Sequence, residues 1–262
     1  MDELETVLVD FDENTGIGTL TLNRPDSMNA LNAQLRSDII TGLEQLESHN
    51  TDGVSLRVVV LEAAGEKAFC AGADVNEFSD EAAGGSSERP MTKFIRDFPA
   101  PVIAKVHGYC LGGGLETILA CDLRYASTDS TLGFPEADLG IIPGMGGIQY
   151  ASAIAGPAVA NELAMTAKRF SGEEADSYGL VNDTFEREDL DEEVEELAET
   201  IASKAPLAVQ EVKKSTQLST QVGVEEGVAH DQQVGELLLA TEDASEGMTA
   251  FAEKRDPEFE GK

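Results

Sequence analysis

The chain is poor in cysteine, in histidine and above all in positive charge. Its 262 residues include three cysteines, Cys70, Cys110 and Cys121, and no C-x-x-C. An odd number in apolar stretches argues against a disulfide framework or a zinc site, and for small buried hydrophobes. The three histidines, His49, His107 and His230, have no metal-ligand spacing, so no metal is expected. Only 18 Lys and Arg stand against 50 Asp and Glu, a formal net charge of −32. Phosphate binding needs clustered cations, so a nucleic-acid partner is not expected. No apolar run is long enough to span a bilayer, and the opening Met1-Asp2-Glu3-Leu4-Glu5 is acidic where a signal peptide would be basic. The expectation is a cytoplasmic protein without a membrane partner.

What is present is an ordinary apolar content of 41%. That is enough for one large domain, or one domain with a small appendage. The apolar residues are periodic, so the acidity should be a coat on a folded core. Adaptation to high salt is the expected reason. At ~1 M salt the Debye length is about 3 Å, which screens most of the mutual repulsion.

Alternation over residues 4–11, a turn at Asn14-Thr15-Gly16 and an apolar run over 17–22 predict a hairpin. Asn32 can cap a helix reaching about Leu46. Short strands are predicted over 56–61, 101–106, 123–126 and 131–134, with a glycine turn entering a buried helix over 112–120. Residues 79–90 form the polar segment best suited to mobility. Ser171-Gly172-Glu173-Glu174 fits a capping box. From about Glu186 the pattern is helical, over 190–204, 206–218, 224–240 and 243–254. The division that follows is a mixed α/β core over 1–185 carrying the active site and a helical region over 186–262.

Three stretches carry candidate chemistry. In the run from Val106 to Ala120, Gly112-Gly113-Gly114-Leu115-Glu116 places a carboxylate among apolar residues. Burial raises the pKa of such a group and suits it to acid–base work. Glycine N–H groups at a helix start have no intrahelical partner and can receive an anionic oxygen. The same pattern also fits tight helix–sheet packing with Glu116 exposed. The second stretch, Phe69-Cys70-Ala71-Gly72-Ala73-Asp74-Val75, lets the backbone bend towards a ligand, or is an ordinary turn. In the third, Pro135 fixes the backbone before Glu136, and Pro143-Gly144 and Gly146-Gly147 expose further N–H groups. Glu136 could equally sit on a solvated surface, as most glutamates do. No dinucleotide or phosphate-loop glycine pattern and no G-x-S-x-G elbow is present.

Together these stretches resemble the crotonase (enoyl-CoA hydratase/isomerase) superfamily. Leu22-Asn23-Arg24-Pro25 with Asn29-Ala30-Leu31, then Gly179-Leu180-Val181-Asn182, then Glu246-Gly247-Met248, Phe251, Glu253-Lys254-Arg255 and Pro257 extend the likeness in order along nearly the whole chain. The resemblance implies an α/β fold, a spiral of ββα units, with a C-terminal helical trimerisation region and homotrimers or homohexamers. It implies hydration of a 2-enoyl-CoA to a 3-hydroxyacyl-CoA. Glu116 and Glu136 match the two acid–base glutamates, Ala73 and Gly113 the oxyanion-hole donors, and Gly144 a position near the catalytic water. It further implies substrate contacts at Ser27, Met28, Ala71, Asp74, Val75 and Lys254. No cofactor is implied, since CoA is part of the acyl-CoA substrate. An anionic CoA needs local cations in this acidic chain, and Arg24, Lys67 and Lys254 are the candidates.

The chain departs from the family pattern in two places. Ile148-Gln149-Tyr150 stands where Thr-Gln-Arg is usual, and Asn76 where many hydratases carry Lys. Double-bond isomerisation of a 3-enoyl-CoA is the rival activity, and acyl-CoA binding without catalysis the rival of another class. Retention of both glutamates favours hydration.

Overall fold

The computed structural model describes residues 4–74 and 90–262. It opens with the expected hairpin, β1 (Val7–Asp12) and β2 (Ile17–Leu22), paired antiparallel. The Asp12 carboxylate accepts from the Asn14 N–H and the Thr15 hydroxyl, closing the turn. Helix α1 (Ala33–Glu47) begins where the Asn32 side chain accepts from the Leu35 N–H at 2.8 Å, a cap worth about 1 kcal/mol. Its buried Leu35, Ile39, Leu43 and Leu46 recur at helical spacing and belong to the main core.

Strands then alternate between two sheets. β3 (Val58–Ala63), β5 (Val102–Val106) and β7 (Leu123–Ser127) join the hairpin in a six-stranded sheet, whose first five strands are ordered β1-β2-β3-β5-β7. β4 (Ala68–Cys70), β6 (Tyr109–Leu111) and β8 (Thr131–Gly133) form a four-stranded sheet with β9 (Arg169–Ser171). Each turn gives one strand to each sheet and then a helix: α2 (Met91–Asp97) after β4, and α3 (Gly113–Leu119) after β6. After β8 come a 3₁₀ turn (Pro135–Leu139), α4 (Gly147–Ala155) and α5 (Pro157–Thr166). This is the ββα spiral that the resemblance implied.

The stacking fixes the site. β4, β6 and β8 run parallel, with Cys70 opposite Cys110 and Leu111 opposite Gly133. Ala73 and Gly113 are each three residues beyond a paired cysteine. Glu136 is three residues beyond Gly133. Three parallel strands therefore deliver three successive segments to one level.

α6 (Gly172–Ser177) carries the predicted capping box, and β10 (Asp183–Phe185) completes the large sheet. The helices α7 (Leu190–Ala202), α8 (Pro206–Leu218), α9 (Val224–Leu238) and α10 (Glu242–Glu253) follow. Leu190, Val194 and Ala198 of α7 pack with Val58, Val60 and Ile103 in a second apolar cluster on the large sheet. α9, in contrast, buries no residue. The sequence marked a helix start near Gly146-Gly147 but not the pair α4–α5 that follows. Gly156 at φ 85° with Pro157 breaks it in the middle, and each half is too short for a clear period. The predicted strand over 56–61 begins two residues later, at Val58. The predicted mobile segment lies almost wholly outside the described residues. All three cysteines are free and buried, as expected.

Candidate active site

The first wall is built around Asn29. Its Nδ2 donates to the carbonyls of Ala64 (3.0 Å) and Ala68 (2.9 Å), and its Oδ1 accepts from the Arg24 N–H (2.8 Å). This fully buried amide staples the segment after β2 to the segment joining β3 and β4. The Ala71 N–H then donates to Met28 O at 3.0 Å, and a parallel bridge pairs Leu31 with Ala73. That bridge uses the N–H groups of Leu31 and Asp74, donated to Gly72 O and Leu31 O. The Ala73 N–H takes no part in it. Gly113 opens α3, where an N–H has no intrahelical acceptor. A β-carbon on Gly113 would lie 3.7 Å from the Ala73 nitrogen, so the two donors are neighbours. Gly72, at φ 102°, makes the close approach: a β-carbon there would meet Leu111 O at 3.0 Å.

Glu116 occupies the first turn of α3 and is 2% exposed, which excludes the surface alternative. Its Oε1 accepts from the Met145 N–H at 2.7 Å and the Gly147 N–H at 2.9 Å. Gly146 takes φ 101° between those donors and caps α4, which turns both N–H groups towards one oxygen. Burial raises the carboxyl above its ordinary pKa, and the N–H groups of Gly147, Met145 and Gly144 partly offset that rise.

Glu136 lies in the 3₁₀ turn and is 8% exposed, so it too is withdrawn from the surface. Its Oε1 sits 2.8 Å from the position a β-carbon on Gly112 would take, across the start of α3. Its Oε2 is buried and has no hydrogen-bond partner among the described residues. Burial raises its pKa, its own backbone N–H lowers it, and the charge of Glu116 raises it again. A buried carboxyl oxygen left unpaired costs about 1–3 kcal/mol, so stability does not explain it. The arrangement offers two adjacent N–H donors for a developing oxyanion. Beside them are two carboxyls whose pKa values burial raises, the direction that suits acid–base exchange.

Residues 12–262 match the family described as enoyl-CoA hydratase/isomerase. The chain belongs to the enoyl-CoA hydratase/isomerase family. It is 37% identical over 246 residues to the 2,3-dehydroadipyl-CoA hydratase of Escherichia coli, covering 93% of this chain and 94% of that one. It is 34% identical over 260 residues to the crotonyl-CoA hydratase of Syntrophomonas wolfei, covering 97% and 98%. Among solved structures, an enoyl-CoA hydratase from Bacillus anthracis superposes with a TM-score of 0.89 at 36% identity, covering 98% of this chain and 100% of that one. The chain is therefore an enzyme-family member of crotonase fold.

For this member of the enoyl-CoA hydratase/isomerase family, the remaining candidates divide. Ser27 and Met28 are exposed at the end of the 3₁₀ turn Pro25–Ser27, and Met28 has φ 50°. Ala71 is half-buried beside them. Asp74 is paired with Arg24 at 3.1 Å, and the Arg24 guanidinium also donates to Ala30 O. Arg24 thus braces the site wall, a role its sequence position did not reveal. Lys67 is exposed. Val75 and Asn76 lie outside the described residues. Lys254 ends α10 at φ 57°, and within the chain that helix is tied elsewhere. Asp243 of α10 accepts from the N–H groups of Glu260 and Gly261, and Arg57 donates to Phe259 O. Among the described residues, no group of three or more His, Cys, Asp or Glu is arranged for a metal, and no helix is long and apolar enough to cross a membrane. The sequence named Gly147 among its exposed N–H groups and missed Met145, which no glycine signal marks.

Proposed function

We propose that the protein is an enoyl-CoA hydratase, adding water syn across the double bond of a 2-enoyl-CoA thioester. The observation that carries this reading is the unequal setting of two neighbouring carboxyls. Glu116 has two N–H donors on one oxygen, which favours its ionised form. Glu136 has a buried oxygen with no donor among the described residues, which favours its protonated form. An ionised and a protonated carboxyl side by side are what hydration needs.

In this reading the thioester carbonyl accepts from the N–H groups of Ala73 and Gly113. A water held between the glutamates, near Gly144, loses a proton to Glu116 as its oxygen bonds to C3. The π electrons move to C2 and the carbonyl oxygen, where the two donors stabilise the charge. A donor of this kind is worth about 3–4 kcal/mol. Glu136 then gives its proton to C2. One proton must pass back from Glu116 to Glu136, so the two titrate as a pair. CoA is substrate, and no cofactor enters. The reading includes a cytoplasmic homotrimer or homohexamer, with Lys254 reaching the CoA of a neighbouring subunit.

The test is loss of the conjugated enoyl-thioester absorbance with crotonyl-CoA in high salt, alongside Glu136→Gln. Rapid loss in the parent and near-abolition in the variant support hydration. No loss with any 2-enoyl-CoA, but turnover of a 3-enoyl-CoA, replaces it by isomerisation. Binding of CoA thioesters without turnover leaves a non-catalytic binding protein.

A further inference from the structure

The N–H groups that hold Glu116 belong to a loop, and that loop is itself held from α2. The Thr92 hydroxyl, 1% exposed, donates to Met145 O at 2.7 Å. Met145 therefore accepts from α2 on its carbonyl and donates to Glu116 from its nitrogen. One turn further along α2, the Arg96 guanidinium lies over the Tyr150 ring, 5.2 Å from its centroid. The Tyr150 ring in turn lies against Gly146: a β-carbon there would meet its Cε2 at 2.9 Å. Tyr150 N also donates to Gly146 O at 2.9 Å. Gly146 is the left-handed residue between the two donors.

Residues four apart share one face of a helix. α2 therefore grips the loop at both ends of its bend, by a hydroxyl on the Met145 carbonyl and by a cation on the ring beneath Gly146. The far end of α2 is fixed too, since Gln217 Nε2 of α8 donates to Arg96 O at 2.5 Å. We propose that Thr92 and Arg96 are positioning residues for Glu116, acting through the Met145–Gly146–Gly147 backbone and the Tyr150 ring. The role of Glu116 as base rests on the hydratase reading. The positioning of its carboxylate does not.

The physical argument is directional. The Met145 carbonyl belongs to the Met145–Gly146 peptide, which lies between the two donating N–H groups and shares an α-carbon with the plane of each, so a hydroxyl that fixes this peptide restrains how both flanking planes turn. A hydrogen bond weakens steeply as its angle closes. Loosening the Met145 peptide therefore weakens a donor to the ionised form of Glu116. Among the described residues, the ionisable groups facing this carboxyl are Glu136 from the 3₁₀ turn and the Tyr150 phenol from α4. Tyr150 itself faces Arg96, Asp97 and Lys93 of α2. Cys70 of β4, which lies against Gly114 of α3, remains a neutral thiol because burial pushes its pKa up to about 12.

The experiment compares Thr92→Val, Thr92→Ser and Arg96→Gln with the parent. The carboxyl carbon of Glu116 is followed by NMR against pH, identified by the signal missing in Glu116→Gln. In Thr92→Val that carbon should titrate at higher pH than in the parent, and Thr92→Ser should restore it. With an enoyl thioester, Thr92→Val should lower kcat about tenfold with KM within about twofold, and move the acid limb to higher pH. Arg96→Gln should move both readouts the same way by less. An unchanged Glu116 titration in Thr92→Val overturns the proposal. So does a Ser variant as impaired as the Val variant, because packing alone then explains the loss. If Thr92→Val fails to fold, Arg96→Gln decides, and an unchanged titration there overturns the proposal. If the parent turns over no enoyl thioester, the hydratase reading falls while the titration still decides the positioning.

Discussion

A β-carbon on Gly147 would lie 2.6 Å from Cγ of Glu116. The residue that donates to the carboxylate is thus in direct contact with the side chain that carries it. A β-carbon there would also meet Phe134 Cε1 at 2.8 Å. Gly147→Ala should therefore displace the carboxyl, lower kcat by about 10²-fold or more, and destabilise by about 1–3 kcal/mol. Among the described residues, nothing lies within 4 Å of the same position on Gly144. Gly144→Ala should keep the melting temperature within about 2 °C of the parent. Thermal unfolding of the two variants side by side checks the contrast.

Each glutamate should be worth about 10²–10⁴ in kcat when replaced by glutamine. The double variant should be little worse than the poorer single, because the pair acts as a unit. Stopped-flow or steady-state hydration of crotonyl-CoA measures this. Additive losses would mean that the two carboxyls do not share one water.

The same substitutions should act oppositely on stability. Both carboxyls have a higher pKa folded than unfolded. Between the two values the folded protein holds more protons than the unfolded one, so stability falls as pH rises through that window. The penalty is absent below the unfolded value and complete only above the folded one. Glu136→Gln, which removes the charge beside an unpaired buried oxygen, should raise the melting temperature by about 2–4 °C at pH 7. The gain should vanish near pH 4. Melting curves across that range decide it, and a gain independent of pH would remove ionisation as the cause.

Lys213 carries another buried charge. Its ammonium lies 2.7 Å from the Asp122 carboxylate and donates to Ala100 O at 3.1 Å. Asp122 also accepts from the Val102 N–H, at the head of β5. Lys213→Met strands that carboxylate and should cost about 3–5 kcal/mol. Adding Asp122→Asn should recover part of the loss, and denaturant titrations of both variants measure the coupling.

Salt should stabilise the protein. With a net charge of −32, repulsion between carboxylates opposes the folded state in dilute buffer. The melting temperature should climb between 0.1 M and 2 M KCl. A flat response would remove the proposed adaptation to high salt.

The sequence displayed some of this plainly. The Asn32 cap, the Ser171 capping box and the apolar spacing of α1 are local signals, and each helix begins where its cap stands. Glu116 could be suspected because an apolar run surrounds it. What it could not display were pairings between distant segments. Thr92 meets a backbone carbonyl 53 positions on, and Arg24 meets Asp74 across 50. A backbone carbonyl has no signature in a sequence, and a surface cation looks the same whether or not it braces a loop. Helix α2 was likewise hidden, since seven residues give too short a period to read.

The Asn29 staple, the Leu31–Ala73 bridge and the parallel β4–β6–β8 stack draw the site from segments spread between residues 24 and 147. No short stretch of chain holds even half of it. Closing such long loops is slow, because their entropy is lost before any contact compensates for it. The site is thus a late event in the life of the molecule. On dilution from denaturant, helical signal should return first. Turnover should appear only with the slowest phase, when the last strand of the stack has docked.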